Sequence, residues 1–208
     1  MFYSLVKNKN WLILIFTIFY LIAFTFNAFA QHNFEFLYYT ILMTALIYII
    51  VAVNKQLHLA FFILVNLSIL GFLHLLGGNF YLANIRLYDF FVVQGVIRYD
   101  NIIHTYGTFI ATLTLYSLFS DFIDKRVKQQ PSIFSFMLVL MATGIGAANE
   151  VLEFFAVVFL GAQEQVGGYF NNALDLVFNI LGSILACVVI YIYQNWQKPS
   201  NWQQRFDF

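Results

Sequence analysis

Long apolar runs, separated by short polar stretches, follow one another along almost the whole chain. Each run is close to the roughly 20 residues that an α-helix needs to cross the hydrocarbon core of a bilayer. The pattern therefore predicts an all-α, polytopic membrane helix bundle in a single integral membrane domain covering residues 1–208. The expected spans are Trp11–Ala30, Phe36–Val53, Leu57–Leu76, Ile102–Phe119, Ile133–Leu160 and Ala173–Tyr193.

Two stretches do not fit a simple span. The fifth run has about 28 residues and would reach about 42 Å, against a hydrocarbon core of roughly 30 Å. We expect that helix to tilt, to break near Gly144 and Gly146, or to project beyond the bilayer. Asn79–Val96, between the third and fourth runs, is too polar to span and too apolar to float free. An interfacial or re-entrant segment is predicted there.

The first run has two interpretations. Lys7 and Lys9 precede it, and the small residues of Ala28–Ala30 resemble a cleavage site, so a cleaved signal peptide is one possibility. An apolar run of about 20 residues is longer than the roughly 7–15 of a signal-peptide core. This length favours a helix that stays in the membrane.

Composition supports a membrane protein. The chain is 62% hydrophobic and 10% charged, whereas a soluble domain is about 25% charged. We therefore expect the lipid bilayer as its main partner. Its formal net charge is zero and no basic stretch is long, so nucleic acid is not an expected partner.

Basic residues are distributed unevenly between the two ends of the predicted helices. With the N-terminus inside, the outer segments hold two of them, Arg86 and Arg98, and the inner segments hold eight. Cytoplasmic loops are enriched in Lys and Arg. We predict a multi-pass protein of the bacterial cytoplasmic (inner) membrane with both termini in the cytoplasm. The eight inner residues are Lys7, Lys9, Lys55, Lys125, Arg126, Lys128, Lys198 and Arg205.

The other polar side chains gather at the predicted outer ends of the last three spans. They recur at intervals of three or four positions, which places each set on one helical face. Three such faces, turned towards one another, would line a polar pocket that opens outward. The candidate catalytic residues are Asp100, His104, Glu150, Glu153 and Asp175. The candidate substrate-binding residues are His74, Arg86, Tyr88, Arg98, Asn172 and Asn179.

Charge is unbalanced in this region. A carboxylate at the centre of a membrane helix costs roughly 2.5–3.5 kcal/mol, and carboxylates outnumber the two outer arginines. Protons shared between carboxylates, or a bound cation, would offset the surplus. The sequence has no HExxH motif, and we assign no metal ligand. The possibility that His74, His104 and the carboxylates hold a divalent metal such as zinc stays open.

Several short motifs carry a family resemblance: "HLLGG", "RLYD", "RYDNIIH", "NEVLEF" and "NALDLVFNILG". In this order they resemble the YjdF-like family of uncharacterised bacterial inner-membrane proteins. More distantly they resemble the VanZ-like superfamily, whose pattern is Asp-x-x-x-His, a later Glu, and Asp-x-x-x-Asn-x-x-Gly. The resemblance covers His74 to Gly182. It implies a shared polar pocket but no activity that can be transferred.

The chain departs from the VanZ-like pattern at two points. That pattern usually has Glu-x-x-Gln, whereas this sequence has Glu150 and Glu153. It also usually has an arginine before the last helix, and "QEQVGGYFNNA" contains none. The differences favour the YjdF-like branch and weaken any expectation of a role in glycopeptide-antibiotic resistance.

Each candidate also has a purely structural interpretation. Asp100 is suited to cap the fourth helix. The outer arginines would neutralise Glu150 and Glu153 in internal ion pairs. Asp175 and Asn179 would form hydrogen bonds that fix the helices to one another.

Four functions are compatible with the pattern. The first is action on, or binding of, a lipid or lipid-linked cell-envelope substrate. Asp100 and His104 would then act as an acid–base pair, and Glu150 and Glu153 would activate water or hold a metal. The arginines would hold an anionic headgroup. The alternatives are a small-amphiphile permease, a proton or cation conductor, and a non-catalytic binding or structural partner protein. The one-sided clustering argues against a conductor, which needs ionisable groups in both halves of the membrane.

Overall fold

The computed structural model describes residues 2–57, 59–120 and 122–196. Six of its helices are long and apolar enough to cross a membrane, which confirms the predicted all-α polytopic bundle. In chain order the helices are α1 (Phe2–Ala30), α2 (Phe34–Leu57), α3 (Phe61–Asn79), α4 (Tyr99–Phe119), α5 (Lys125–Lys128), α6 (Pro131–Leu160), α7 (Gln163–Val166) and α8 (Tyr169–Trp196). Helices α5 and α7 are single turns.

The boundary between the second and third spans differs from the prediction. Leu57 was expected to begin the third span, but it ends α2, and α3 begins at Phe61. Between the two helices, the backbone N–H of Leu59 donates to Oδ1 of Asn54 at 2.7 Å. Leu57 and Leu59 are both apolar, so hydropathy does not mark the end of α2.

Helix α6 is continuous over 30 residues. This continuity excludes one of the three expected alternatives, a break near Gly144 and Gly146, and leaves tilt or projection beyond the bilayer as the prediction. The helix ends at Leu160. Gly161 follows it as the C-terminal cap, with a φ of 69°, a left-handed conformation that glycine adopts without strain.

Residues 80–98 form two β-hairpins joined by a 3₁₀ turn at Leu87–Asp89. Strands β1 (Tyr81–Leu82) and β2 (Ile85–Arg86) are antiparallel, as are β3 (Phe91–Val93) and β4 (Ile97–Arg98). The first hairpin turns through Ala83 and Asn84, both at positive φ, as a tight two-residue turn requires. The hairpins lie in the stretch for which the sequence predicts an interfacial or re-entrant segment without defining its conformation, and its depth in the membrane stays a prediction.

The spanning helices pack in two groups. Helices α4, α6 and α8 contact one another closely, α1 contacts α2 and α3, and α3 joins the groups through α4. One apolar core lies within the first group, around Leu138 and Ile190. The other lies mainly among α1–α3, around Tyr20 and Leu75. The end of the bundle that carries the four strands is called the hairpin end below.

The predicted orientation rests partly on basic residues whose side chains are not described. Lys198 and Arg205 lie outside the described residues, as do the side chains of Lys7, Lys9 and Lys55. The orientation of the termini stays a prediction.

Candidate functional site

The start of α4 sets the geometry of the site. The backbone N–H of Arg98, the residue before the helix, donates to Oδ1 of Asn101 at 2.9 Å. This local bond is made by Asn101 and not by Asp100, for which capping was the structural alternative. Asp100 lies in the first turn of the helix, where a negative charge is favourable, and its carboxylate points to His104.

His104 lies where α4, α6 and α8 meet, and it is only 8% exposed. Its Nε2 atom is 3.4 Å from Oδ1 of Asp100 and 3.9 Å from Oδ1 of Asp175. Its Nδ1 atom is 3.6 Å from Oε1 of Glu150 and 3.3 Å from Oδ1 of Asn179. One buried imidazole therefore contacts carboxylates from three helices. We call His104 and these four neighbours, together with Glu153, the His104 cluster.

Two asparagine amides hold the fully buried carboxylate of Asp175. Nδ2 of Asn101 donates to its Oδ1 at 3.1 Å, and Nδ2 of Asn171 donates to its Oδ2 at 2.8 Å. The Oδ1 atom of Asn171 accepts a hydrogen bond from Nη1 of Arg98 at 3.1 Å. Hydrogen bonds to a charged acceptor are stronger than neutral ones. The network therefore fixes Asp175 and ties α4 to α8.

The two glutamates of α6 have different surroundings. Glu153 accepts a hydrogen bond from Nδ2 of Asn149 at 2.7 Å. Among the residues that the structure describes, neither carboxylate oxygen of Glu150 has a hydrogen-bond partner, although the residue is only 9% exposed. The ion-pair partner of Glu150 is His104 and not an arginine. Arginine neutralisation, the structural alternative, does not describe this residue.

Glycines allow close contacts around the cluster. A Cβ atom added to Gly146 would lie 2.5 Å from Nδ2 of Asn179, so α6 can approach this amide only because position 146 lacks a side chain. A Cβ at Gly182 would collide with the carbonyl oxygen of Thr105. Gly182 therefore lets α8 pack directly on the backbone of α4, as small residues do between membrane helices.

Arg86 pairs with two carboxylates at the hairpin end. Its Nε atom is 2.9 Å from Asp89, and its Nη1 atom is 3.1 Å from Glu35 at the start of α2. Burial alone would lower the pKa of Arg86, but its hydrogen bond to Asp89 and the charge of Glu35 raise that pKa above its usual value. Arg86 thus joins the hairpins to α2 as a permanent cation.

Tyr88 and His74 lie in a group of rings beside the cluster. Desolvation raises the pKa of Tyr88 well above its ordinary value. The phenol therefore keeps its proton, and its hydroxyl group forms a hydrogen bond with Nδ1 of His74. The ring of Tyr88 packs edge-on against His74 and Tyr99, and at a tilt against Phe36. We call Phe36, Tyr39, His74, Tyr88 and Tyr99 the aromatic cluster.

A cavity of about 700 Å³ extends from the aromatic cluster towards the opposite end of the bundle. Apolar side chains of α1, α2 and α3 form most of its wall. Its polar end is made by side chains of α4, α6 and α8, which are His104, Asn149, Glu153 and Asn179.

A second cavity, of about 70 Å³, lies at the hairpin end. Charged and amide side chains line it, including Arg98, Asp100 and Asn171. Four residues line both cavities: Tyr39, His74, Tyr88 and Glu153. The aromatic cluster and Glu153 therefore separate a polar space from an apolar one.

The structure brings together nearly all the candidate residues. Each contacts His104 or lines one of the two cavities, except Asn172. Asn172 is partly buried, and no hydrogen bond of its side chain is found within the described part of the chain. Asn171, one position earlier, holds Asp175 instead. A helix turns by about 100° per residue, so one position decides which asparagine faces the cluster.

Four polar residues of the site were missed by the sequence analysis: Glu35, Asn101, Asn149 and Asn171. The three asparagines carried a signal, because each lies three or four positions from a selected residue on the same helix. Glu35 had none. Its partner Arg86 is 51 positions away, and no local pattern connects them.

Two overlapping sets of side chains in the described residues have the ligand types and separations that a metal ion requires. They are Asp100, His104 and Asp175, and His104, Glu150 and Glu153, with ligand atoms within 4.8 Å of one another in each set. The same groups can also exchange protons, because an imidazole between carboxylates can act as acid or base.

Comparison with family models places the chain in a family. A family model described as "Predicted membrane protein (DUF2238)" matches residues 12–196. This range includes the first two spans, which the YjdF-like resemblance covered only in hydrophobicity, and the match is consistent with that resemblance. No curated protein and no solved structure matches the chain.

Proposed function

The chain belongs to the DUF2238 family of predicted membrane proteins, and we propose that it binds a lipid or lipid-linked amphiphile. The apolar tail would occupy the cavity of about 700 Å³, and the head would reach the His104 cluster. In the proposed orientation the hairpin end faces outward from the bacterial inner membrane. The head would then lie in the outer half of the bilayer.

The observation that carries this proposal is a mostly apolar cavity whose carboxylate and imidazole groups lie at one end. Ligand pockets typically have volumes of about 300–1,000 Å³ and a mostly apolar wall with a few placed polar groups. Side chains such as Leu42, Leu64 and Leu67 supply the wall, and Glu153 and His104 supply polar groups at one end. This division matches an amphiphile with a tail and a head.

The head supplies the selectivity in this proposal. A hydrocarbon tail gains little when it moves from lipid into an apolar cavity, because both surroundings are apolar. Glu153 offers a carboxylate that accepts from a hydroxyl or ammonium group. Asn149 and Asn179 line the same end of the cavity and add amide donors and acceptors. Arg98 lines the second cavity, beyond the aromatic cluster, and takes no part in this contact. A head that carries hydroxyl or ammonium groups therefore fits best.

Acid–base catalysis on the bound head is a second candidate. It is supported by the position of His104, whose imidazole lines the larger cavity while its Nε2 atom faces Asp100. A carboxylate orients an imidazole and stabilises its protonated form. In this candidate function, His104 takes a proton from a head hydroxyl or from water, and Asp100 positions the ring.

Amphiphile binding is tested by filling the cavity. Ala111 lines the cavity wall on α4, so Ala111→Phe places a ring where the tail would lie. Ala148→Phe is the matched control, because Ala148 is exposed on α6 and lies outside both cavities. We expect native mass spectrometry to find co-purified lipid on the wild type and the control, and about tenfold less on Ala111→Phe, equivalent to about 1.4 kcal/mol.

Two results would overturn the proposal. One is a wild-type protein that carries no lipid when released gently from detergent. The other is equal lipid occupancy in Ala111→Phe and the wild type. Extraction and analysis of the bound lipid identifies the head class, and incubation with that lipid tests for a product.

A further inference from the structure

We propose that His104, Glu150 and Glu153 form a binding site for a divalent transition-metal ion such as Mn²⁺ or Zn²⁺. Nδ1 of His104 and one carboxylate oxygen from each glutamate are the ligands, and Oδ1 of Asn179 is a further donor at the same place. The assignment concerns the protein alone and does not depend on amphiphile binding.

The distances fit a shared ion. Ligand atoms that each lie about 2.0–2.2 Å from one metal are roughly 3–3.6 Å apart. Nδ1 of His104 is 3.6 Å from Oε1 of Glu150 and 3.3 Å from Oδ1 of Asn179. All the ligand atoms of His104, Glu150 and Glu153 lie within 4.8 Å of one another. Small rotations of these side chains would close the coordination sphere.

The surroundings of Glu150 indicate, independently of these distances, that its carboxylate lacks a binding partner. It is 9% exposed, and both of its carboxylate oxygens lack a hydrogen-bond partner among the described residues. A buried carboxylate without donors is strongly unfavourable. A metal ion between Glu150 and His104 would remove that cost.

The surroundings of His104 prepare Nδ1 for coordination. Its Nε2 atom faces the carboxylate of Asp100 at 3.4 Å. A carboxylate that accepts a hydrogen bond from Nε2–H favours the tautomer with its lone pair on Nδ1, the atom that faces Glu150. This carboxylate–histidine–metal order is how protein metal sites orient their imidazole ligands.

The other possible set of metal ligands, Asp100, His104 and Asp175, is less available to a metal ion. Both oxygens of Asp175 already accept hydrogen bonds, from Asn101 and Asn171. A metal bound there would have to displace amide donors that hold α4 against α8. The glutamate side of His104 has no such competition at Glu150.

Charge favours a divalent ion. Asp100, Glu150, Glu153 and Asp175 converge on one imidazole. The nearby Arg98 reaches the network through the amide of Asn171. An imidazole with carboxylates suits Mn²⁺, Fe²⁺ and Zn²⁺ better than a thiolate-preferring ion, which is why Mn²⁺ and Zn²⁺ are the probes.

The test uses the full-length protein in detergent, stripped with EDTA and desalted, and then titrated with MnCl₂ or ZnCl₂. We expect about one ion per chain, measured by electron paramagnetic resonance for Mn²⁺ and by elemental analysis for Zn²⁺. Glu150→Gln should weaken binding at least as strongly as Asp100→Asn, for which about 10–100-fold is expected of an orienting residue. Asp124→Asn, an exposed carboxylate on a loop, is the control and should bind as the wild type does.

A measurement on the wild-type protein alone can also test the site, so the test does not depend on whether every variant folds. Electron spin-echo modulation of bound Mn²⁺ should show coupling to a histidine nitrogen. No binding by the wild type, or bound Mn²⁺ without that coupling, overturns the site. Binding that survives Glu150→Gln but is lost in Asp175→Asn also overturns it, because the ion would then lie on the aspartate side of His104.

Discussion

Oε1 of Glu150 lies 3.6 Å from Nδ1 of His104, on the boundary between α6 and α4. Neither glutamate oxygen has a hydrogen-bond partner among the described residues. The contact with His104 is thus the electrostatic compensation that the structure gives to this buried carboxylate. The imidazole is therefore a counter-charge shared by the carboxylates of α4, α6 and α8, whose other side chains next to it are carboxylates and amides.

Removing that counter-charge should destabilise the bundle. In metal-free protein, His104→Ala leaves several buried carboxylates without it, and we expect a loss of about 3–5 kcal/mol. Adding Glu150→Gln to His104→Ala should recover part of the loss, because a neutral amide replaces an uncompensated charge. The coupling energy is measured by unfolding titrations, in mixed micelles, of the wild type, the two single variants and the double variant. Additive effects of the two substitutions would contradict this account.

Asn171 and Asn172 form a matched pair of adjacent residues. Asn171→Ala removes the amide that holds Asp175 and the acceptor used by Arg98. We expect it to cost about 1–3 kcal/mol of folding free energy, since a buried charged acceptor loses a donor. Asn172→Ala should change stability by less than about 0.5 kcal/mol. An equal loss in both variants would show that the orientation of α8 is different.

Gly146 and Gly144 are two positions apart on α6 and differ in their surroundings. A Cβ at Gly146 meets the amide of Asn179, whereas a Cβ at Gly144 meets nothing within 4 Å. Gly146→Ala should therefore displace Asn179 from His104 and lower stability by about 1–3 kcal/mol. Gly144→Ala should cause no loss. Thermal unfolding in detergent distinguishes them, and a Gly146→Ala midpoint equal to that of the wild type would be inconsistent with this packing.

The ion pairs of Arg86 and Arg126 differ in burial. Arg86→Ala leaves Glu35, which is 8% exposed, without its arginine, and we expect a loss of about 3–5 kcal/mol. Arg126 and Asp124 are exposed, at 88% and 54%, and exposed pairs contribute little. Arg126→Ala should leave the thermal midpoint unchanged. If the two variants unfold at the same temperature, Arg86 does not anchor the hairpins to α2.

Much of this architecture was predictable, because membrane spans need long apolar runs and the chain has six of them. The polar faces of α4 and α6 were also predictable. Asp100 and His104 are four positions apart, and Glu150 and Glu153 three, so each pair faces one way however the helix packs.

The parts that were not predictable depend on how the elements are placed in space. The rotation of α8 decides between Asn171 and Asn172, and the sequence does not specify it. The pairing of Arg86 with Glu35 joins distant segments. Each strand of the hairpins has only two or three residues. This is too short for an alternation of apolar and polar residues to distinguish a strand from irregular chain. The apolar cavity lies between the two groups of helices, so the sequence of any single helix does not predict it.

The most direct test of the central claim is an experimental structure of the protein in a lipid nanodisc. The account predicts elongated density in the apolar cavity, ending at Glu153 and His104, with the aromatic cluster between it and the hairpin end. A structure in which α1, α2 and α3 close against α4 and α6, with no space and no density between them, would contradict it.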